Sequence, residues 1–421
     1  MEKIESLYFK INSIDINDTE YEIMSDFIDL ITSKLNKIIQ NKGIINKIEK
    51  IYHEHFDSYL TPQYQNLVEN ISEYLKTFTY NPNTQIVPFS DNDPRWLYAA
   101  LVELNTFYIP RSKYYISPDK NKDYTYKISG NRIAIVGDYG SADKYQQMVT
   151  KAISQEKPDL IIHLGDIYVA GTPNECKNFW ETYTSSFDGK VPPLWCVIGN
   201  HEYISKGKGF FKNLIKPKLL GGGKQEASYF CLENDELKIQ ILGIDTGYNS
   251  TNFTFPVGGE EMDYSTYLDE AQLDWVQRKL TFAKNNEYKT IILSHHQYIS
   301  TYWKDQQFNT KLGEQIFSVD HPIEAWIFGH DHRSIIYKNP YGNVKNLMCL
   351  GHGSMSVSVG SYDGYSNNFE FYQNLVPNSV TQYNQNIYNN GFVIMDKNLK
   401  LEIYEVDRNT EASNLYGFLS L

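Results

Sequence analysis

Five short apolar runs in this chain each end on side chains that can bind a metal ion. IAIV leads into Gly137-Asp138, LIIHL into Gly165-Asp166, LWCVI into Gly199-Asn200-His201, TIIL into Ser294-His295, and AWIF into Gly329-His330-Asp331-His332. Taken singly such signals are weak, because an aspartate after a glycine often serves a turn or caps the next helix. Together they offer carboxylates, an amide oxygen and imidazoles, the hard-to-borderline donor set of iron, manganese and zinc. His330 and His332, two positions apart at a strand end, can both turn toward one point. The four cysteines, Cys176, Cys196, Cys231 and Cys349, are widely spaced with no Cys-x-x-Cys pair. That spacing argues against a thiolate zinc site or a disulfide framework and reads as four buried free thiols.

The elements that must position these donors follow from the same runs. They are short and rich in β-branched residues, as buried strands are. Asp138 and Asp166 lie 28 positions apart, and Asp166 and Asn200 lie 34 apart, close to the ~30 residues of a β-α-β unit. In an open α/β sheet, functional residues collect beyond the carboxyl ends of the strands. A further strand, IQILGIDT, and an amphipathic helix around Ala271 to Ala283, with Leu273, Val276, Leu280 and Ala283 on one face, precede His295. GFVIMD and LKLEIYEVD form a hairpin joined at Lys397-Asn398, and the polar Tyr- and Asn-rich stretch from Gly360 to Asn390 reads as a long loop.

Residues 1–122 read as a mostly helical region. Thr19-x-x-Glu22 has the form of a capping box, Thr61-Pro62 opens another helix, and a further one follows Asp93-Pro94 with Trp96, Leu97, Ala100, Leu101 and Leu104 as its apolar stripe. No residues in this region have catalytic spacing. His53 and His55, two apart, do not face one another on a helix.

At 421 residues the chain allows roughly two to three domains of ~150 residues and a sizeable core. Lys and Arg number 39 against 51 Asp and Glu, a net charge of -12, so a generally basic surface for nucleic acid is not expected. Phosphate chemistry in so acidic a chain needs a local source of positive charge. Aromatics make up 14% of the residues, unlike a disordered chain. The N-terminal stretch alternates charged with apolar residues, and nowhere do 18 apolar residues run together, so a soluble, cytoplasmic protein without a membrane segment is the expectation.

The motifs, taken in order, resemble those of the calcineurin-like metallophosphatases: Gly137-Asp138-Tyr139-Gly140, Gly165-Asp166, Gly199-Asn200-His201-Glu202, Ser294-His295-His296 and Gly329-His330-Asp331-His332. They cover residues 132 to 337, about half of the chain. Gly140 stands where the family usually has a histidine, and with Asn-His-Glu this is similar to the purple acid phosphatase-like branch. The resemblance implies an α/β fold, a two-sheet sandwich flanked by helices over residues 123–421. It implies two transition-metal ions, iron, manganese or zinc, bridged by Asp166. One takes Asp138 and His332, the other Asn200, His295 and His330. It further implies a phosphoric ester hydrolase in which hydroxide formed between the ions attacks phosphorus, with a phosphomonoesterase as the first reading. A phosphodiesterase, or a non-catalytic scaffold of the same fold, are the alternatives. His201 resembles the family histidine that contacts phosphate and protonates the leaving oxygen. Purple acid phosphatases carry a metal-binding tyrosine three residues after the bridging aspartate. Here Val169 holds that place and Tyr168 comes one residue early, so Tyr168 is a ligand candidate set against a packing or hydrogen-bonding role. His296 and His352 are candidates for contacting substrate, His163 reads as a core residue, and His321 as a loop residue. The loop from Tyr248 to Tyr267 could wall the site. The partners expected are a small phosphorylated substrate, no membrane, and a protein partner on the N-terminal helices.

Overall fold

The computed structural model describes residues 99, 102, 103, 106, 110–113, 115, 122–139, 144–250, 266–300, 307–338, 340–355, 369–371 and 388–421. The helices expected before residue 99, the partner surface placed on them, and the centre of the 248–267 loop lie outside the described residues. In chain order the elements are β1 (Thr125–Lys127), β2 (Arg132–Val136), α1 (Lys144–Gln155), β3 (Leu160–His163), α2 (Pro173–Ser185), β4 (Leu194–Cys196) and α3 (Asn200–Ile204). Next come β5 (Phe230–Asn234), β6 (Ile239–Gly243), α4 (Glu270–Asn286), β7 (Lys289–Ser294), β8 (Ile299–Ser300), β9 (Gln307–Phe308), α5 (Thr310–Phe317) and β10 (Ile323–Phe328). The chain closes with β11 (Ser334–Tyr337), β12 (Val344–Leu350), β13 (Phe369–Phe371), β14 (Asn390–Asp396), β15 (Lys400–Val406) and β16 (Ser413–Ser420).

Two mixed sheets result. One runs β16-β15-β14-β2-β3-β4 and the other β1-β5-β6-β7-β10-β12-β11-β13. In the first, β2, β3 and β4 are parallel; in the second, β6, β7, β10 and β12 are parallel. Both faces of β2, β3 and β4, and of most of β7 and β10, are covered, which is why their sequences are largely apolar runs. Ile133, Ile135, Ile162 and Val197 of the first sheet meet Leu232, Ile241, Leu293 and Ile327 of the second in a core between the sheets. Outside the first sheet, Ala134, Val136 and Ile161 pack under α1 and α2 through Val149, Ile153 and Phe179. Outside the second, Ile292, Trp326 and Phe328 pack under α4 and α5 through Trp275, Val276, Leu280 and Ile316. The architecture is therefore the expected α/β sandwich, two sheets flanked by helices.

Local chemistry sets the element ends. Thr172 and Glu175 form a reciprocal capping box at the start of α2, with Pro173 in its first turn, where a missing N–H is harmless. The Asp269 carboxylate accepts the Ala271 and Gln272 N–H groups to start α4. Two expectations need correction. The stretch from Gly360 to Asn390 is not all loop: Phe369–Phe371 adds β13 to the edge of β11, because backbone pairing needs no hydrophobic period. The closing hairpin gains a third strand, β16, antiparallel to β15. All four cysteines are free and buried. No helix among the described residues is long and apolar enough to cross a membrane.

Candidate metal centre

The carboxyl ends of β2, β3, β4, β7 and β10 come to one edge of the sandwich, each delivering its donor within a few residues. Asp138, Asp166, His330 and His332 all adopt the left-handed backbone conformation, with φ of 58°, 53°, 69° and 51°. Four such residues at one site are a concentration of backbone strain, which persists only where surrounding structure over-determines it. The glycines of the motifs answer a second need. A Cβ at Gly329 would stand 2.5 Å from Asp138 Oδ2, and one at Gly199 would overlap Asp166 Oδ1. The carboxylates thus lie directly on glycine backbone.

Two donor clusters form: Asp138, Asp166 and His332 in one, His295, His296 and His330 in the other, with ligand atoms in each lying within 4.8 Å of one another. His295 is the hub. Its Nδ1 sits 3.0 Å from the Leu164 carbonyl oxygen. A carbonyl only accepts, so that nitrogen carries the ring proton and Nε2 of the neutral ring is left with a lone pair. Nε2 lies 3.1 Å from each of Asp166 Oδ2, Asn200 Oδ1 and His330 Nδ1. Donors held ~2.1 Å from one ion at octahedral to tetrahedral angles are themselves ~3.0–3.4 Å apart, so this spacing is that of a ligand shell. A cation suits this convergence; without one, a protonated His295 can donate from Nε2 to Asp166. In the other cluster His332 Nε2 lies 3.4 Å from Asp138 Oδ1. Asp166 faces both clusters.

The electrostatics agree. Burial opposes the Asp166 charge, but His295 and His201 outweigh it and hold the carboxyl below its ordinary range. Burial would lower His295, but Asp166 outweighs it and lifts the imidazole to about 9. Burial, followed by the neighbouring imidazoles, keeps His296 and His330 well below the usual histidine range. Burial pushes the Asp138 carboxyl up. In the metal-free chain a protonated His295 thus offsets the Asp166 charge, a place a bound cation would take.

His201, on α3, stands at the rim of this cluster. Its Nδ1 is 2.5 Å from the Val169 carbonyl oxygen, and its Nε2 is 3.8 Å from Asp166 Oδ2. Its backbone N–H donates to Asp166 Oδ1 at 3.1 Å. His296 is drawn into the imidazole cluster and fixed by Thr246, whose Oγ1 lies 3.0 Å from its Nδ1 and accepts its backbone N–H at 2.9 Å. The structure places the remaining candidates elsewhere. Tyr168 is buried in the apolar cluster with Phe179, and its hydroxyl lies against the Cys176 thiol. His352 is fully buried, and among the described residues neither of its ring nitrogens has a hydrogen-bond partner. It lies against Gly391, where burial alone lowers its pKa to about 3. His163 is a core residue whose Nδ1 accepts the Gly165 N–H. His321 lies in the loop before β10, as expected, and is buried there with its Nε2 2.9 Å from Thr290 Oγ1.

Sequence reasoning missed the groups that hold the loop after Asp166. The Glu202 carboxylate accepts the N–H groups of Asp166 (3.0 Å), Ile167 (2.8 Å) and Gly199 (2.5 Å). Glu175 accepts those of Val169, Ala170 and Thr172. Two buried carboxylates thus bind most of the backbone donors between residues 166 and 172. The Thr172-x-x-Glu175 pattern was a readable capping signal for the second; nothing in the sequence marked Glu202 beyond its place in the motif.

A family model described as calcineurin-like phosphoesterase matches residues 131–334. The probable glycerophosphodiester phosphodiesterase GpdQ of Arcobacter nitrofigilis is 28% identical over 140 residues, 33% of this chain and 42% of that protein. The chain therefore spans less than half the length of that curated relative. Among solved structures, the chain is similar to GAP50, the anchor in the inner membrane complex of Plasmodium, at 15% identity and a TM-score of 0.45. That match covers 70% of this chain and 89% of that one. It is also similar to purple acid phosphatase PPD1 from yellow lupin (Lupinus luteus) seeds, at 15% identity and a TM-score of 0.42, covering 72% and 55%.

Proposed function

Because residues 131–334 match a family model described as calcineurin-like phosphoesterase, we propose that this chain is a metal-dependent hydrolase of phosphate esters. One cation is held by Asp138, Asp166 and His332, the other by Asp166, Asn200, His295 and His330. The observation that carries the reading is the convergence of three acceptor atoms, each 3.1 Å from His295 Nε2. Such a pair of ions, when bound, supplies an ionised water for in-line attack on phosphorus and a positive field for the phosphate oxygens. That field is what a chain of net charge -12 otherwise lacks.

The chain's own groups do the rest. Leu164 and Val169 fix the tautomers of His295 and His201 through their carbonyls, as outer partners of ligating imidazoles do. His201 presents Nε2 beside Asp166, where it can contact a phosphate oxygen and hold the proton for the leaving group. Glu202 locks Asp166 and Gly199 to one carboxylate, so the bridging residue and Asn200 keep their relative positions. Tyr168, buried against Cys176, is outside this set.

Phosphomonoesters remain the first substrate class. The 28% identity to a probable glycerophosphodiester phosphodiesterase favours diesters as the second reading. Turnover of an activated aryl monophosphate and a bis-aryl diester, by full-length protein stripped with chelator and reloaded with manganese, iron or zinc, tests both. Activity is expected to vanish on stripping and return with manganese or iron. Full activity after exhaustive metal removal would end this reading, and metal uptake without turnover of either ester would favour a scaffold.

A further inference from the structure

Arg111 lies outside residues 131–334, in a segment where the sequence shows no catalytic spacing, yet it is bonded to the loop after β6 that touches the imidazole cluster. We infer that Arg111 is a positioning residue for the imidazole pocket, acting through the loop Thr246–Ser250. Its Nη1 lies 3.0 Å from the carbonyl oxygen of Gly247, 2.7 Å from that of Tyr248 and 2.8 Å from that of Ser250. Three inward-facing carbonyls of one turn need a donor in place of water, and a buried guanidinium supplies it. The Asp245 carboxylate takes the complementary N–H groups of Gly247 and Tyr248, each at 2.9 Å. The loop is therefore clamped from both sides of its backbone.

Two residues of this loop touch the site. Thr246 bonds the ring and backbone of His296, which clusters with His295 and His330. Gly247 packs so closely on Gly199, the residue before Asn200, that a Cβ would stand 2.5 Å from the Gly199 carbonyl oxygen. A loop displaced by the loss of Arg111 would thus press on Asn200 from one residue and release His296 from the next.

The same segment is fastened elsewhere. Thr106 Oγ1 donates to the Ile204 carbonyl at the end of α3 (2.8 Å), and the Tyr115 hydroxyl donates to the Asp269 carboxylate (2.6 Å). The Tyr115 ring stacks on Tyr248, with centroids 4.1 Å apart. The guanidinium of Arg111 lies 5.3 Å from the centre of the Tyr203 ring, on α3.

The inference rests on the metal reading of the site, and the test separates the two. Manganese is titrated calorimetrically into metal-free, full-length wild type, Arg111→Lys, Arg111→Gln, Thr246→Val and the Arg111→Gln/Thr246→Val double variant. Removing a direct outer partner of a metal ligand weakens binding ~10–100-fold; Arg111 acts one step further out, through the loop that packs on the residue before Asn200, so Arg111→Gln is expected at the low end of that range, weakening one of two manganese equivalents by ~10-fold. Arg111→Lys, whose ammonium offers three donors, should rescue to within about 3-fold and keeps the question open to measurement if the glutamine variant fails to fold. Residues coupled through one loop are non-additive, so in the Thr246→Val background Arg111→Gln should add less than about 2-fold. A wild type that takes up no manganese overturns the metal reading itself. Wild-type binding with unchanged affinity in Arg111→Gln, a Lys variant no better than Gln, or losses that multiply in the double variant would overturn the positioning role alone.

Discussion

Four of the proposed ligand residues are held at positive φ, which sets stability against the proposed function at single positions. A non-glycine residue in the left-handed region costs about 1 kcal/mol or more, and His332 sits there at φ 51° with its side chain partly exposed. His332→Gly is expected to raise the stability of the metal-free chain by about 1 kcal/mol in urea denaturation, while manganese titration shows one equivalent lost. A variant no more stable than wild type would mean that the imidazole itself stabilises the metal-free fold. Asp166 and His201 differ in kind. Asp166 faces both clusters, so Asp166→Asn is expected to lose both manganese equivalents and Asp138→Asn only one. His201 bonds a carbonyl on one side and faces Asp166 across 3.8 Å on the other. His201→Ala is expected to keep both metals and lose ~10²–10⁴-fold in turnover, the range of a proton-transferring group. Loss of metal from His201→Ala as complete as from Asp166→Asn would make it a ligand instead.

At the scale of elements, the loop between β3 and α2 is ordered by two carboxylates that it does not itself carry. Glu202, from α3, holds three backbone N–H groups flanking Asp166 and Asn200. Each intramolecular hydrogen bond contributes ~0.5–1.5 kcal/mol, and more where the acceptor is charged. Glu202→Gln turns a donor toward donors, so it is expected to destabilise the chain by at least ~3 kcal/mol and to weaken manganese binding as well. Glu175→Gln is expected to destabilise while largely retaining metal, because its partners at 169–172 lie beyond the ligands. Equal metal loss in both would show that the loop moves as one unit. The contrast explains what was legible in the sequence. β2, β3, β4, β7 and β10 announced themselves as apolar runs because both their faces are buried, and the donors sit at fixed short offsets from their ends. Glu202 and Arg111 act on backbone groups brought near by tertiary packing, from up to 139 positions away, and no local pattern encodes that, whereas Glu175 reaches only three to six residues back and its capping pattern was readable. β16 was missed because its Leu415, Tyr416 and Phe418 are exposed and give no clean alternation. β13 was missed because three residues of a polar stretch carry no period.

For the whole molecule, the donors come from both sheets: Asp138, Asp166 and Asn200 follow strands of one, and His295, His330 and His332 follow strands of the other. Bound ions would therefore tie the two sheets together at one edge, in addition to the apolar core between them. Without ions the same edge concentrates buried carboxylates, imidazoles and left-handed backbone, all of which favour its opening. Anything that binds the native state alone stabilises it by mass action, ~2.7 kcal/mol per site at a hundredfold excess over the dissociation constant. Manganese at that excess is thus expected to raise the unfolding free energy by roughly 5 kcal/mol for two sites, and chelation to lower Tm correspondingly. Asp166→Asn should abolish nearly all of this metal-dependent shift and Asp138→Asn about half. Thermal unfolding of the full-length chain, with and without chelator, checks the series. A Tm unmoved by metal in the wild type would mean that the two sheets are not joined by ions at all, whatever activity the chain displays.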